Sequence, residues 1–157
     1  MRSEPMRIYV DTSVIGGCFD PEFEDASRKL FDLFASGEHV LVLSSVTAGE
    51  LEDAPEEVRN VVDEVPERHV ERIQLGPADE HLAGLYLGAG VIPRRMTADA
   101  QHIAMATLAE VDVLVSWNFK HIVRFDKIRL FNAVNLQQGY KPLAIHSPRE
   151  VTNRGQD

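Results

Sequence analysis

The chain has 157 residues, 44% of them hydrophobic, so it is long and apolar enough to fold around a hydrophobic core without staples. Its one cysteine, Cys18, excludes an intrachain disulfide, and no Cys or His spacing is typical of a zinc site. We see no signal-peptide pattern and no apolar run near the roughly 20 residues of a membrane span, so we expect a cytoplasmic protein that does not enter a membrane.

Charge is unevenly distributed along the chain, and its formal sum of −9 is unusual for a protein that binds nucleic acid. Between Ala48 and Glu67 there are eight acidic residues and one basic residue, which we interpret as a solvated surface. Between Asn118 and Arg149 there are six basic residues and one acidic residue. This second segment predicts a basic face that could meet phosphates, with a plain solvated surface as the alternative.

Short apolar runs alternate with stretches of helical spacing along the chain. The predicted order is a strand at 7–10, a helix at 23–36, a strand at 40–43, a helix from 45 to about 55, a helix at 55–65, a strand at 70–75, a helix at 77–88, a helix at 97–108, a strand at 112–116, a helix at 122–138 and a strand at 143–145. Gly37 is expected to end the first helix, Ser44 or Ser45 to cap the second, and Thr97 to cap the helix before the fourth strand.

This alternation predicts an α/β sandwich with a mainly parallel sheet, because parallel strands need helical crossovers. We expect a single domain over residues 6–150, followed by a loose C-terminal tail at 151–157. In such sheets, ligands gather beyond the carboxyl ends of the strands. The polar residues at those ends are therefore the candidates for function.

Four polar side chains occupy such positions. Asp11 follows the first strand, Glu50 lies in the helix after the second, Asp99 begins a later helix, and Asn118 follows the fourth strand. Carboxylates brought together repel one another, so a cluster of them implies a cation. Oxygen ligands of this kind suit Mg²⁺ or Mn²⁺, which can polarise a phosphoryl oxygen and activate a water molecule.

Each of these residues also has an alternative interpretation. Asp11 alone is typical of a turn cap, Glu50 of an ordinary surface acid, and Asp99 of an acid favoured by a helix N-terminus. Asn118 could simply begin a helix. The metal-site hypothesis rests on all four falling at predicted edges of one crevice.

The same residues match a known family. The segment Ile8-Tyr9-Val10-Asp11-Thr12-Ser13 resembles the opening motif of PIN-domain proteins, in which an apolar strand ends in Asp followed by small polar residues. Glu50 resembles their second acid, and Asp99, within residues 98–104, their third. Residues 114–121 resemble the segment of their fourth site. The likeness covers about 6–145.

The resemblance implies a three-layer sandwich whose five-stranded parallel sheet has the order 3-2-1-4-5. It also implies a VapC-like ribonuclease, that is, Mg²⁺- or Mn²⁺-dependent endonucleolytic cleavage of RNA. The catalytic and metal-binding residues would be Asp11, Glu50, Asp99 and Asn118. Many relatives are toxins of toxin–antitoxin pairs and many form homodimers, so an antitoxin partner and a homodimer are expected here.

Asn118 departs from the family pattern, since many members carry Asp at that position. An Asn side chain still coordinates through its carbonyl oxygen but adds no charge. The site would then hold three formal negative charges rather than four. We therefore expect weaker metal binding or a single metal, without necessarily a loss of activity.

Residues around the four are candidates for substrate contact. Ser13 could orient Asp11, bind a metal-bound water or satisfy the turn backbone, and Thr12 is similar. Lys120, His121 and Arg124 follow Asn118 closely and could hold phosphates, with a plain solvated face as the alternative.

Three further positions leave the same choice between function and packing. His102 could touch substrate, hydrogen-bond an acid or serve the core. Trp117 could stack on a base, although packing is the preferred interpretation. Arg94 and Arg95 form a second candidate phosphate patch.

Two other functions compete with the metal-dependent endoribonuclease. One is a PIN-fold module that binds RNA or protein and whose catalysis has faded, as Asn118 could indicate. The other is a phosphatase of the haloacid-dehalogenase type, which also places Asp after its first strand. That chemistry normally needs a second Asp two residues later, where this chain has Ser13, so we rank it low.

Overall fold

The computed structural model describes residues 4–153 of the chain. Five parallel strands form one sheet in the order β3-β2-β1-β4-β5, which confirms both the predicted parallel sheet and its order. The strands are β1 (Arg7–Val10), β2 (Val40–Ser44), β3 (Val70–Ile73), β4 (Val113–Val115) and β5 (Ile145–His146).

Helices cover both faces of the sheet. They are α1 (Thr12–Gly16), α2 (Glu24–Ser36), α3 (Ser45–Leu51), α4 (Glu56–Asp63), α5 (Pro77–Gly88), α6 (Thr97–Leu108), α7 (Phe125–Gln137) and α8 (Pro148–Thr152). Short 3-10 turns lie at Gly17–Phe19, Glu67–His69 and Arg94–Met96. Within residues 4–153, none of these helices is both long and apolar enough to cross a bilayer.

Two apolar cores lie on opposite faces of the sheet, because successive side chains of a strand point to opposite sides. Ile8 and Val10 belong to the core beneath α1, α2, α4 and α8. Tyr9 belongs to the core beneath α5, α6 and α7. The result is the predicted three-layer sandwich, with β1 at its centre.

The strand register brings several chain segments to one edge. Tyr9 pairs with Val42 and Val10 pairs with Val115, so β1, β2 and β4 end at nearly the same level. The residues that follow these strands therefore lie side by side at the carboxyl edge. Asp11 is one of them, as the sequence predicts.

Several predicted boundaries were wrong at helix ends. Helix α1 was missed because five residues show no periodicity; Asp11 caps it by accepting a hydrogen bond from the Val14 N–H. Helix α3 ends at Leu51, before the expected Pro55. Pro55 instead precedes α4 as its N-cap. Thr97 is the first residue of α6, and Met96 is its N-cap.

The C-terminal region is more ordered than expected. Helix α7 begins at Phe125 rather than 122, because the preceding chain forms turns around Asn118. Helix α8 was not predicted; it contains residues 151 and 152 of the expected tail, and Val151 is buried. Asn153 is the C-cap of this helix, and the rest of the expected tail, 154–157, lies outside the described residues.

Candidate metal centre

Asp11 lies at the middle of the carboxyl edge and is held from both sides. Its Oδ1 accepts hydrogen bonds from the Ser13 hydroxyl at 2.6 Å and the Val14 N–H at 3.3 Å. Its Oδ2 accepts one from the Ser116 hydroxyl at 2.6 Å. Only 5% of Asp11 is exposed. The orientation of this carboxylate is therefore set by residues from two adjacent strand ends.

Burial works against the charge of Asp11. Removal from water raises the pKa of its carboxyl above the ordinary value, and this effect exceeds the opposing effects of the His102 charge and the two serine hydroxyls. In the part of the chain that the structure describes, no Lys or Arg pairs with Asp11. A buried carboxylate without a nearby cation is unfavourable. A cation bound beside Asp11 would therefore stabilise this part of the protein.

Glu50 reaches the same edge from α3. Its Oε1 accepts hydrogen bonds from the Thr12 hydroxyl at 2.9 Å and lies 2.8 Å from Nε2 of His102. Burial by itself raises the pKa of Glu50, but the hydrogen bond and charge of His102 together with Thr12 leave it below the ordinary value. Glu50 is thus an ionised carboxylate with Oε2 free of protein donors within residues 4–153.

Asp99 lies in the first turn of α6 and is joined to the rest of the site by Asn118. Nδ2 of Asn118 donates to Oδ2 of Asp99 at 3.3 Å. The Asn118 N–H donates to Ser116, whose hydroxyl in turn holds Asp11. A continuous chain of hydrogen bonds therefore joins Asp99 to Asp11.

The three carboxylates are close enough to repel one another. Burial raises the pKa of Asp99, His102 opposes the shift, and the negative charges of Asp11 and Glu50 raise it further. The sequence-based prediction that separated acids meet at one edge is consistent with these contacts. Excess negative charge at a half-buried position is the electrostatic setting that a divalent cation stabilises.

The donor set fits Mg²⁺ or Mn²⁺ by its chemistry, since it consists of carboxylate oxygens and contains no thiolate. Among residues 4–153, however, no three His, Cys, Asp or Glu side chains lie in an arrangement already able to hold a metal ion. Mutual repulsion of uncompensated carboxylates is a physical reason for them to stand apart. Ligation by Asp11, Glu50 and Asp99 therefore requires them to draw closer around the cation.

Comparison with known proteins rests on structure, because the sequence matches no family model and no curated protein. A chain of VapBC2 from Rickettsia felis, bound to a DNA fragment from its promoter, superposes with a TM-score of 0.56 over 90% of this chain and 98% of that one, at 15% identity. VapC20 from Mycobacterium tuberculosis, a toxin that cleaves the sarcin–ricin loop, gives 0.54 over 73% and 92%, at 18% identity. FitAcB from Neisseria gonorrhoeae gives 0.54 over 90% and 97%, at 16% identity.

This chain has a VapC-like PIN fold. The resemblance that the motifs indicate is confirmed at the level of the fold. Identities of 15–18% carry the fold and no more, so activity, metal and partners remain to be argued from the site itself.

Two hydrogen bonds set the orientation of Asn118. Its Oδ1 accepts the backbone N–H of His121 at 3.0 Å, and its Nδ2 faces Asp99. In this orientation Asn118 is a neutral donor to Asp99. Coordination of a metal through its carbonyl oxygen stays a prediction.

Of the predicted substrate-binding residues, Ser13 is the most clearly reassigned. Its hydroxyl donates to Asp11 and accepts the Trp117 N–H at 2.9 Å. This places Ser13 in the role of orienting Asp11, one of the alternatives open from sequence. Thr12 similarly holds Glu50.

His121, one of the predicted phosphate contacts, is buried in the structure. It is 7% exposed, and its Nε2 is buried without a hydrogen-bond partner in the described part of the chain. Burial lowers its pKa, which disfavours the charged form, although nearby Asp99 opposes the shift. Its contact with a phosphate stays a prediction.

Exposed cations nevertheless remain beside the site. Lys120 is exposed, and Arg124 forms a surface ion pair with Asp126 at 2.8 Å that a phosphate can replace. Arg94 and Arg95 are exposed in the turn that precedes α6. Trp117 is a packing residue, as preferred from sequence. It is 5% exposed, and its ring stacks on Phe23 and donates to Ser27.

Sequence reasoning missed three hydroxyl groups that build the site. Ser116 contacts Asp11, while Ser44, Tyr9 and His102 form a buried chain behind Glu50. Ser116 could have been noticed as a polar residue at the end of an apolar strand. Nothing in a single sequence marks the Tyr9 hydroxyl, since tyrosine is common in buried strands.

Proposed function

We propose that the chain is a divalent-metal-dependent endoribonuclease whose metal is held by Asp11, Glu50 and Asp99. The supporting observation is that three carboxylates from three separate elements lie close enough at one sheet edge for the charges of Asp11 and Glu50 to act on Asp99, while no Lys or Arg within residues 4–153 forms an ion pair with any of them. Carboxylates maintained against this repulsion need a functional reason.

The roles of the residues follow from their contacts. Asp11 is the fixed ligand, because its two oxygens are held by hydroxyls and burial prevents it from turning away. Glu50 and Asp99 each keep one oxygen free of protein donors in the described chain, Oε2 and Oδ1. Asn118 orients Asp99. When bound, Mg²⁺ or Mn²⁺ supplies Lewis-acid polarisation of a phosphoryl oxygen and activation of a water molecule.

RNA is the proposed substrate, and the exposed cations flanking the site are its expected contacts. Lys120 and Arg124 follow Asn118 in the chain, Arg94 and Arg95 precede Asp99, and all four are exposed. Their charges can bind the phosphate backbone despite the net charge of −9, because that charge is concentrated elsewhere. A VapC20-like toxin role with an antitoxin partner, and homodimer formation, belong to this proposal through the shared fold.

The direct test is incubation of a fluorescently labelled RNA with the purified protein in Mg²⁺, Mn²⁺ or EDTA. Internal cleavage with either metal and none in EDTA is expected. Asp11→Asn preserves the side-chain shape and its capping of α1, and it should reduce cleavage by at least about 100-fold, the order of losing several kcal/mol of transition-state stabilisation.

Asp53→Asn is the matched control, since Asp53 is an exposed acid outside the site. It should cleave at the wild-type rate with the same metal dependence. Cleavage by Asp11→Asn at the wild-type rate, or equal cleavage in EDTA, would contradict the proposal.

The second candidate is a PIN-fold module that binds RNA or protein without turnover. It is favoured by the absence, within residues 4–153, of three acidic or imidazole groups in a ready metal-binding arrangement. It predicts RNA binding, measured by fluorescence anisotropy, that is the same with Mn²⁺ and with EDTA and is accompanied by no cleavage.

A further inference from the structure

We propose that His102, itself held by Tyr9, is a positioning residue that fixes Oε1 of Glu50 and leaves Oε2 for the divalent cation. This inference rests on the proposed metal site and deepens it. His102 is not a metal ligand in this account, because both of its ring nitrogens are already engaged by protein groups.

The contacts form a continuous line from the core to the site. Nε2 of His102 lies 2.8 Å from Oε1 of Glu50, and Nδ1 lies 2.6 Å from the hydroxyl of Tyr9. Tyr9 in turn donates to Ser44 at 2.7 Å. Each link is within ordinary hydrogen-bond distance, so the imidazole cannot rotate without breaking contacts at both of its edges.

The inner end of this line is rigid. Ser44 accepts the Thr47 N–H and donates to the Thr47 hydroxyl, which donates to the carbonyl of Val10. Ser44, Thr47, Tyr9 and His102 are all 2% exposed or less. Buried polar groups satisfied in this way define a single arrangement, because any other leaves a donor or acceptor without a partner.

Glu50 is the residue that needs such an anchor. Its side chain is 40% exposed and long, and an unrestrained glutamate at the surface samples several rotamers. The contact from the Thr12 hydroxyl holds the same oxygen, Oε1. With two partners on Oε1, Oε2 is left without a protein donor in the described chain and is available to a cation.

The position of His102 also couples two candidate ligands. It lies three residues after Asp99 on α6, so both project from about the same face of one helix. Holding Glu50 against His102 therefore sets the position of Glu50 relative to Asp99. This role explains why a histidine occupies a buried position of α6, where most of its buried neighbours are apolar.

The test measures Mn²⁺ binding itself, by the loss of the free-ion electron paramagnetic resonance signal or by calorimetry, on purified full-length variants. His102→Leu fills the space without a donor, and we expect its dissociation constant to rise about 10-fold or more. His102→Gln restores one donor toward Glu50 and should recover most of this loss. Tyr9→Phe removes only the hydroxyl behind the imidazole and should weaken binding several-fold.

A double-mutant cycle separates positioning from general damage. If His102 acts through Glu50, His102→Leu should change the Mn²⁺ dissociation constant less than twofold when Glu50→Gln is already present. If the two substitutions together raise the Mn²⁺ dissociation constant by the product of their separate effects, the proposal is overturned. So would a dissociation constant for Tyr9→Phe and a folded His102→Leu within twofold of the wild type.

The outcome also distinguishes this inference from the function on which it rests. A wild-type protein that binds no Mn²⁺ overturns the metal-dependent function, and the positioning role with it. A wild type that binds Mn²⁺ while the variants bind equally well overturns the positioning role alone.

Discussion

The two ends of strand β1 carry opposite kinds of charged cluster. At the amino end, Arg7 donates to both oxygens of Glu71, at 2.9 and 2.5 Å, and to the carbonyls of Ala109 and Glu110. At the carboxyl end, the charges of Asp11 and Glu50 act on Asp99, and none of the three has an arginine or lysine partner among the described residues. One strand thus separates a neutralised cluster from one with excess negative charge.

The difference shows how a charged cluster can be assigned a role from its contacts. The hydrogen bond with Glu71 raises the pKa of Arg7, so Glu71 stabilises the charged form of the guanidinium. Burial raises the pKa values of Asp11 and Asp99, so these acids are held against their preference. The first cluster is interpreted as structural support, and the second is where we propose that a divalent cation binds.

Catalysis is the property that should respond most strongly to a loss of charge at the carboxyl end. Asp99→Asn removes one charge at the carboxyl end while keeping a side chain of the same size. We expect RNA cleavage to fall by about 10²- to 10⁴-fold, since several kcal/mol of metal-assisted stabilisation are lost. Gel-based initial rates with Mn²⁺ measure it, and circular dichroism confirms that the fold survives.

A substitution of Arg7, at the amino end, should affect stability and leave catalysis unchanged. Arg7→Met keeps the aliphatic part of the side chain and removes the donors at the amino end. Because Arg7 is about one-third exposed, we expect a loss of only about 1–2 kcal/mol in the free energy of unfolding, measured by urea denaturation. Cleavage by the folded variant should match the wild type. A 100-fold loss of cleavage in folded Arg7→Met would erase the functional distinction between the two ends.

The sequence alone predicted which residues follow the strands at the carboxyl edge of the sheet. Apolar runs of strand length alternate with helical spacing, and parallel strands place the residues that follow them at one edge. Asp11 and Glu50 could therefore be assigned to that edge before any coordinates. The sheet order needed the PIN-domain resemblance in addition, since local patterning does not determine which strands are neighbours.

What the sequence could not provide are contacts that depend on register. The Ser116 hydroxyl reaches Asp11 across 105 residues of chain, and only the alignment of β1 with β4 brings them together. The orientation of Asn118 depends on the backbone N–H of His121, which claims the carbonyl oxygen. Helix α1 is too short to show a period. In each case the local sequence is compatible with more than one conformation or contact, and the tertiary structure determines which one forms.

The charge excess should also be visible as a pH dependence of the metal-free protein. Burial raises the folded-state pKa of Asp11, so the folded protein holds this proton more tightly than the unfolded chain. The associated stability is fully present below the unfolded pKa, about 3.9, and is lost as pH rises through the raised value. Asp11→Asn removes that loss.

In EDTA, Asp11→Asn should therefore be more stable than the wild type at pH 7, by about 1 kcal/mol or roughly 2–4 °C in Tm. This advantage should shrink as the pH approaches 4. Differential scanning calorimetry across this range measures it, with Asp53→Asn as the exposed-acid control. A variant that is less stable than the wild type at pH 7, with no dependence on pH, would show that Asp11 is not under charge strain.

The smallest expected effect concerns Asn118, which makes the carboxyl end less negative than a four-acid site. Asn118→Asp keeps an oxygen for the His121 N–H but replaces the donor toward Asp99 with a second carboxylate. Without metal, the added repulsion should lower Tm by a few degrees. With Mn²⁺, the extra charge should strengthen binding several-fold and return the lost stability, because at a given concentration a cation that binds the folded state more tightly stabilises it more, by RT ln(1 + [L]/Kd).

Thermal unfolding at increasing Mn²⁺ concentrations measures both effects. A variant whose Tm in EDTA equals that of the wild type would contradict the expectation. Destabilisation in EDTA and stabilisation in Mn²⁺ are the expected signs, because Asn118→Asp adds a negative charge beside Asp99. The neutral amide would then limit the charge excess that separates this end of β1 from the neutralised cluster at Arg7.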